Sequence, residues 1–132
     1  MRAGSLSCIL LGIACGVPAA ACGRQPRVAD DVTVEWKLTP TPPRVDEATR
    51  AEITLRDRGR NPVRGATLKV EGHMTHPGMA PVLAPAAESS DGVYQVQLRL
   101  TMRGSWILLV TGVLPDGRRV NHRIDVTARP PG

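Results

Sequence analysis

Apolar and polar residues alternate along most of the chain after residue 31, and this pattern constrains the fold more than any other feature. Val34, Trp36 and Leu38 alternate with Glu35 and Lys37, which is the period of a half-buried β-strand. Similar short segments follow, and the one before the last is more continuously apolar. These segments are residues 51–56, 66–70, 93–101, 105–114 and 120–126.

The composition supports a fold built from short strands. The 132 residues include 13 Gly and 12 Pro, which favour turns over a helical bundle. About seven strands at this spacing predict one all-β domain, an immunoglobulin-like β-sandwich, with a small barrel as the alternative. We expect the apolar segment 105–114 to be a central strand covered on both faces.

The first 21 residues have the features of an export signal. Arg2 is followed by the apolar run 6–17, which is shorter than the roughly 20 residues of a membrane span. Residues 19–21 are all Ala and precede Cys22, and this arrangement resembles the lipobox of bacterial lipoproteins, in which the Cys carries the lipid. Cys15 is a weaker candidate, and simple cleavage after residue 21, which would leave a free thiol, is the alternative.

This interpretation divides the chain into four parts. We expect a lipoprotein-type signal peptide at 1–21, a tether at 22–31, the sandwich domain at 32–128 and a tail at 129–132. Cys8 and Cys15 leave with the signal peptide, so only Cys22 remains. The domain must then be held by its core without a disulfide.

One loop departs from the strand pattern because it concentrates soft donors. His73, Met74, His76 and Met79 lie within residues 73–79. Imidazole and thioether groups together suit copper, above all Cu(I). The Pro77-Gly78 pair can fold the loop back so that His76 and Met79 face one point. The alternative is that the Met residues fill gaps at the end of the core.

Two further residues could join such a site. His122 has the same parity as Val120 and Ile124, so we expect an inward His held near a sheet end, with a distal ligand as the alternative. Met102 precedes a turn at Gly104, and we expect packing there more than ligation.

Several function classes lack support in the sequence. No Ser/His/Asp arrangement and no Gly-rich phosphate loop can be read, so we expect no enzyme. The chain has no Phe and only Trp36, Trp106 and Tyr94 as aromatic residues, and its 17 Lys+Arg are scattered. We therefore expect no nucleic-acid partner.

Two stretches carry a resemblance to a family. Residues 59–66, Gly-Arg-Asn-Pro-Val-Arg-Gly-Ala, precede a strand and the Met/His loop, and residues 92–110 include Met102, Gly104 and Trp106. Over residues 32–127 the chain resembles YtkA-like domains, and FixH-type proteins of oxidase assembly carry a related domain. The resemblance implies an exported immunoglobulin-like sandwich in which Trp106 fills the core.

The resemblance also implies a suspected role in copper handling through the loop that contains His73, Met74, His76 and Met79. Our first hypothesis is a lipid-anchored Cu(I) module at the periplasmic or cell-surface face. It would serve an exported cuproprotein or an oxidase assembly partner. The alternatives are a non-metal envelope interaction or assembly domain, and a structural lipoprotein.

Overall fold

The computed structural model describes residues 27–132, in which eight strands form two antiparallel four-stranded sheets. The first sheet has the order β1-β2-β6-β5, and the second has the order β4-β3-β7-β8. The predicted two-sheet, all-β architecture is confirmed, with eight strands instead of about seven. The strands are β1 (Thr33–Thr39), β2 (Ala48–Arg56), β3 (Thr67–Met74), β4 (Val82–Pro85), β5 (Ala87–Ser90), β6 (Val93–Arg99), β7 (Gly104–Val113) and β8 (Arg119–Ala128).

The core forms where the inward rows of the two sheets meet. Ile53 of β2, Tyr94 of β6 and Trp106 of β7 are each at most 1% exposed. They alternate with exposed or half-buried neighbours, because successive side chains of a strand point to opposite faces. Trp106 therefore fills the core as expected from the sequence.

The expectation that segment 105–114 is covered on both faces is wrong. The inward residues of β7 are buried, but Ile107 and Leu109 on the outer face are only half-buried, and Val113 is 44% exposed. β7 is central within its sheet because β3 and β8 pair with it on either side. No further layer covers its outer face among residues 27–132.

Two short strands lack the alternation that predicted the others. β4 and β5 have four residues each and lie at the edges of the two sheets. β4 ends in Pro85, which an edge strand tolerates because its free side needs no donor. β5 is exposed at all four residues and its pairing with β6 shifts between Glu88 and Ser90.

The sandwich has two distinct ends. We call the end with the β1–β2, β3–β4 and β6–β7 connections the tip, and the end with the β2–β3 and β7–β8 connections the base. Arg27 and Ala29 form backbone hydrogen bonds with Arg119 at the base. The described part of the predicted tether therefore lies against the domain. The signal peptide, Cys22 and residues 23–26 lie outside the described residues.

The free edge of β8 is occupied at both ends. At the base, Val28 forms a bridge with Arg119, and at the tip Arg44 forms a bridge with Arg129. No backbone group from the rest of residues 27–132 bonds to the free edge between these bridges. Within the same range, no helix has the length and hydropathy needed to cross a membrane.

The only tyrosine of the chain gives a test of this packing. The Tyr94 hydroxyl donates a hydrogen bond to the Val63 carbonyl at 2.8 Å and accepts one from the Ala66 N–H at 3.0 Å. We expect Tyr94→Phe to lower the free energy of unfolding by about 1–3 kcal/mol, because both backbone groups lose their partner. Denaturant unfolding measures the change.

A pH series and a control sharpen this test. Burial raises the pKa of Tyr94 above its ordinary value of 10.0, so the neutral phenol stabilises the fold below about pH 10 and this contribution falls as the pH rises further. The gap between wild type and Tyr94→Phe should shrink over that range. Ser89→Ala removes an exposed hydrogen bond of 3.3 Å to Val93 and should change the unfolding free energy little. Equal losses in the two variants would contradict the prediction.

Candidate metal site

His76 and Met79 flank a tight turn in the β3–β4 connection at the tip. Pro77 and Gly78 form the turn, and Gly78 has a φ of 87°. Pro at the second position and Gly at the third with positive φ fit a type II turn, in which the first and fourth Cα atoms lie within about 7 Å. His76 and Met79 occupy these outer positions and are both exposed. The turn thus places the backbones of these two predicted donors close together.

His73 lies on the outer face of the second sheet. Its Nε2 is 3.2 Å from Glu71 Oε2, and Lys69 Nζ is 2.5 Å from Glu71 Oε1. Hydrogen bonds from Lys69 and from His73 lower the pKa of the Glu71 carboxyl below its ordinary value. The imidazole therefore already has a carboxylate neighbour, two residues away on the same face.

Met74 points to the opposite face, between the two sheets. It packs against the buried core, and its Cε lies 3.1 Å from the position that a Cβ on Gly104 would occupy. In register, Met74 is paired with Trp106, whose side chain is buried. The lack of a side chain at Gly104 makes room for the Met74 methyl group.

The arrangement separates the four predicted ligands into three positions. His76 and Met79 share the exposed turn, His73 lies outside the sheet, and Met74 lies inside it. No three His, Cys, Asp or Glu side chains within residues 27–132 group closely enough to hold a metal ion. The one imidazole and one thioether at the turn fit a soft ion with open coordination positions. Metal binding by His73, Met74, His76 and Met79 stays a prediction.

Comparison with known families identifies the chain. The family model described as YtkA-like matches residues 27–111. The chain belongs to the YtkA-like family. The matched range contains the Pro77-Gly78 turn at the tip and the strands β3 and β4 on either side of it.

Solved structures share the fold of this YtkA-like domain at low identity. The Lin-41 filamin domain matches with a TM-score of 0.56 and 13% identity, covering 79% of this chain and 97% of that chain. A superoxide reductase (neelaredoxin) from Ignicoccus hospitalis matches with a TM-score of 0.51 and 12% identity, covering 71% and 79%. These likenesses confirm the immunoglobulin-like sandwich and show the fold alone. No curated protein matches the chain in sequence.

His122 and Met102 occupy different places in the YtkA-like domain. His122 is half-buried in the inward row of β8 and pairs with Val110. Val110 also pairs with Val70, four residues before Met74, which places His122 about 13 Å below the tip. Met102 lies at the tip and is 43% exposed, while its carbonyl accepts a 2.9 Å hydrogen bond from Trp106 Nε1.

Glu71 is a neighbour of the candidate donors that the sequence interpretation missed. It contacts His73 across two positions of one strand. The signal is present, because residues i and i+2 of a strand share a face, but the sequence pattern predicts residue 73 in the loop and the structure has it near the end of β3.

The Pro77-Gly78 turn gives a metal-free test of the site. Gly78→Val should open the turn, because a β-branched residue is disfavoured at positive φ, whereas Gly78→Asn should keep it. A nuclear Overhauser contact between the His76 ring and the Met79 methyl group should be present in wild type and Gly78→Asn and lost in Gly78→Val. Apart from its two chain neighbours, no atom lies within 4 Å of a Cβ at residue 78, so the Cβ itself meets no collision in either variant. Equal contacts in all three proteins would contradict the interpretation that the Pro77-Gly78 turn brings the two side chains together.

Proposed function

We propose that this YtkA-like domain is an extracytoplasmic, membrane-tethered module that binds Cu(I) at its tip and passes it to an exported partner. The observation that supports the proposal is the exposed turn at Pro77-Gly78, which has His76 and Met79 at its two outer positions. The partner would be a cuproprotein or a factor in the assembly of an oxidase. Copper is the cargo of this activity.

The donor chemistry suits transfer better than permanent storage. Imidazole and thioether are borderline and soft ligands, which favour Cu(I) over harder ions. Two ligands from one exposed turn leave coordination positions open, so a ligand of the partner can enter before the first ones leave. His73 and Met74 flank the turn and would join only through a change at the end of β3, since they face opposite sides of the sheet.

The two ends of the sandwich suit the proposed anchoring. In our proposal Cys22 carries a lipid, and the chain then enters the domain at the base, where Arg27 bonds to Arg119. Only residues 23–26 separate the lipid from Arg27, a reach of about 17 Å when extended. β8 runs from base to tip over 10 residues, or about 33 Å. The turn would therefore face away from the membrane, at the periplasmic or cell-surface side.

We propose no catalytic activity for the chain. The superoxide reductase that shares its fold does so at 12% identity, which supports no transfer of activity. The exposed side chains of Met79 and Met102, each at least 40% exposed, favour one other function. In that alternative the tip is a protein-contact surface without a metal.

Competition with a Cu(I) chelator tests the copper proposal. His76→Ala/Met79→Ala should weaken Cu(I) binding more than about tenfold relative to wild type, which corresponds to about 1.4 kcal/mol. His122→Ala serves as the matched control, because it removes an imidazole remote from the tip, and it should leave the affinity unchanged. Wild-type binding no tighter than that of the double variant would rule out the proposal.

The anchor has a separate test. Cys22→Ala should move the protein from the membrane fraction to the soluble exported fraction, since one residue carries the lipid in our proposal. Mass spectrometry of the wild-type chain should then show a lipid on an N-terminal Cys22. An unmodified thiol at this residue would contradict the anchoring but leave the copper proposal intact.

A further inference from the structure

The tip carries two adjoining grooves beside the loops that connect the sheets. One has a volume of about 370 Å³, and its apolar part is formed by Val45, Met102, Pro130 and Pro131. The other has a volume of about 300 Å³ and includes Pro40, Pro42 and Pro130. Pro130 lines both grooves, so they form one surface, which we call the tip groove. Volumes of this size accept side chains of a ligand.

Backbone hydrogen bonds hold the walls of the tip groove together. The Arg129 N–H donates to the Pro43 carbonyl and the Val45 N–H donates to the Arg129 carbonyl, both at 2.9 Å. The indole of Trp106 bonds to the carbonyl of Met102 on the other wall. The groove is thus built by the β1–β2 loop, the β6–β7 turn and the residues after β8, and it does not depend on one mobile loop.

Arginines surround this apolar floor. Arg44 and Arg129 line one groove, Arg103 lines the other, and all three are exposed. None of the three forms an ion pair with a carboxylate of residues 27–132. Asp46 and Glu47 lie at the same end, but Glu47 Oε1 accepts a hydrogen bond from the Gly132 N–H at 3.1 Å. The groove therefore combines an apolar floor with positive charges that have no carboxylate partner.

We propose that the tip groove docks an acidic segment of an exported protein, with apolar side chains of that segment on its floor. Guanidinium groups pair with carboxylates in a planar, two-pronged geometry, and apolar anchors in small pockets supply most of the binding energy of such contacts. The inference goes beyond copper binding, because it gives the proposed function a surface for partner choice at the same end as the His76–Met79 turn.

The position of the groove favours a protein over a membrane as its occupant. The chain enters the domain at the base, on the opposite end from Arg103 and Arg129. If the chain is anchored through Cys22, the groove faces the aqueous compartment. This argument rests on the proposed function, and the charges of the groove would otherwise suit anionic lipids as well.

The test uses the full exported chain without metal. Its probe is a labelled synthetic peptide in which leucine alternates with glutamate. We expect it to bind at low salt at least about tenfold more tightly than the same peptide with glutamine in place of glutamate. Arg103→Gln/Arg129→Gln should reduce this difference, since only Arg44 of the three groove arginines remains, and Met102→Ala should weaken both peptides. Fluorescence anisotropy measures each affinity.

Matched variants separate the groove from general surface charge and from the copper site. Arg58→Gln/Arg119→Gln removes two exposed arginines of the base and should leave peptide binding unchanged. Cu(I) affinity should be equal in wild type and Arg103→Gln/Arg129→Gln, so a failure of copper binding would not affect the groove result. Three results would each overturn the proposal. They are equal binding of the two peptides, an equal loss of binding in the base variant, and tighter binding to phosphatidylglycerol vesicles through the same tip arginines.

Discussion

The burial of one face of each sheet against the other is the interaction on which the whole domain depends. All three cysteines lie at or before residue 22, so no disulfide supports the strands of the described part. The inward rows must supply the stability, and they do so with aliphatic side chains around Trp106 and Tyr94. The polar atoms of these two aromatic side chains also hold one connection at each end of the sandwich. Trp106 bonds to the β6–β7 turn at the tip, and Tyr94 bonds to the β2–β3 loop at the base.

The same pleat that builds the core divides the candidate donors. Along β3 the side chain of His73 must face solvent if that of Met74 faces the core, because neighbours on a strand point apart. The ladder hydrogen bonds prevent either residue from turning without a loss of pairing. The Thr75 N–H still bonds to the Ser105 carbonyl of β7, but residues 76–81 lie beyond this pairing and before β4. A turn there can therefore place His76 and Met79 side by side. The rigid sheet thus presents a small adaptable element.

Much of the fold followed from the period of two, since six of the eight strands show alternation or a continuous apolar run. β4 and β5 did not, because short edge strands with Pro and Ala bury too little to need a pattern. At the site, Pro77-Gly78 predicted the turn, but the inward position of Met74 was not predicted, because the strand was expected to end at residue 70 and β3 continues to Met74. The tip groove had no signal at all, because Pro42, Met102 and Pro130 are distant in sequence and meet only in the folded chain.

The bridges on β8 have a consequence for neighbouring copies. An unpaired strand edge invites another chain to extend the sheet. Here Val28 and Arg44 occupy the two ends of that edge, so the β8 of a second copy would collide with them before it could align. Pairing of this kind would add one copy to the next and lead to linear aggregates. The two bridges therefore hinder such pairing along β8.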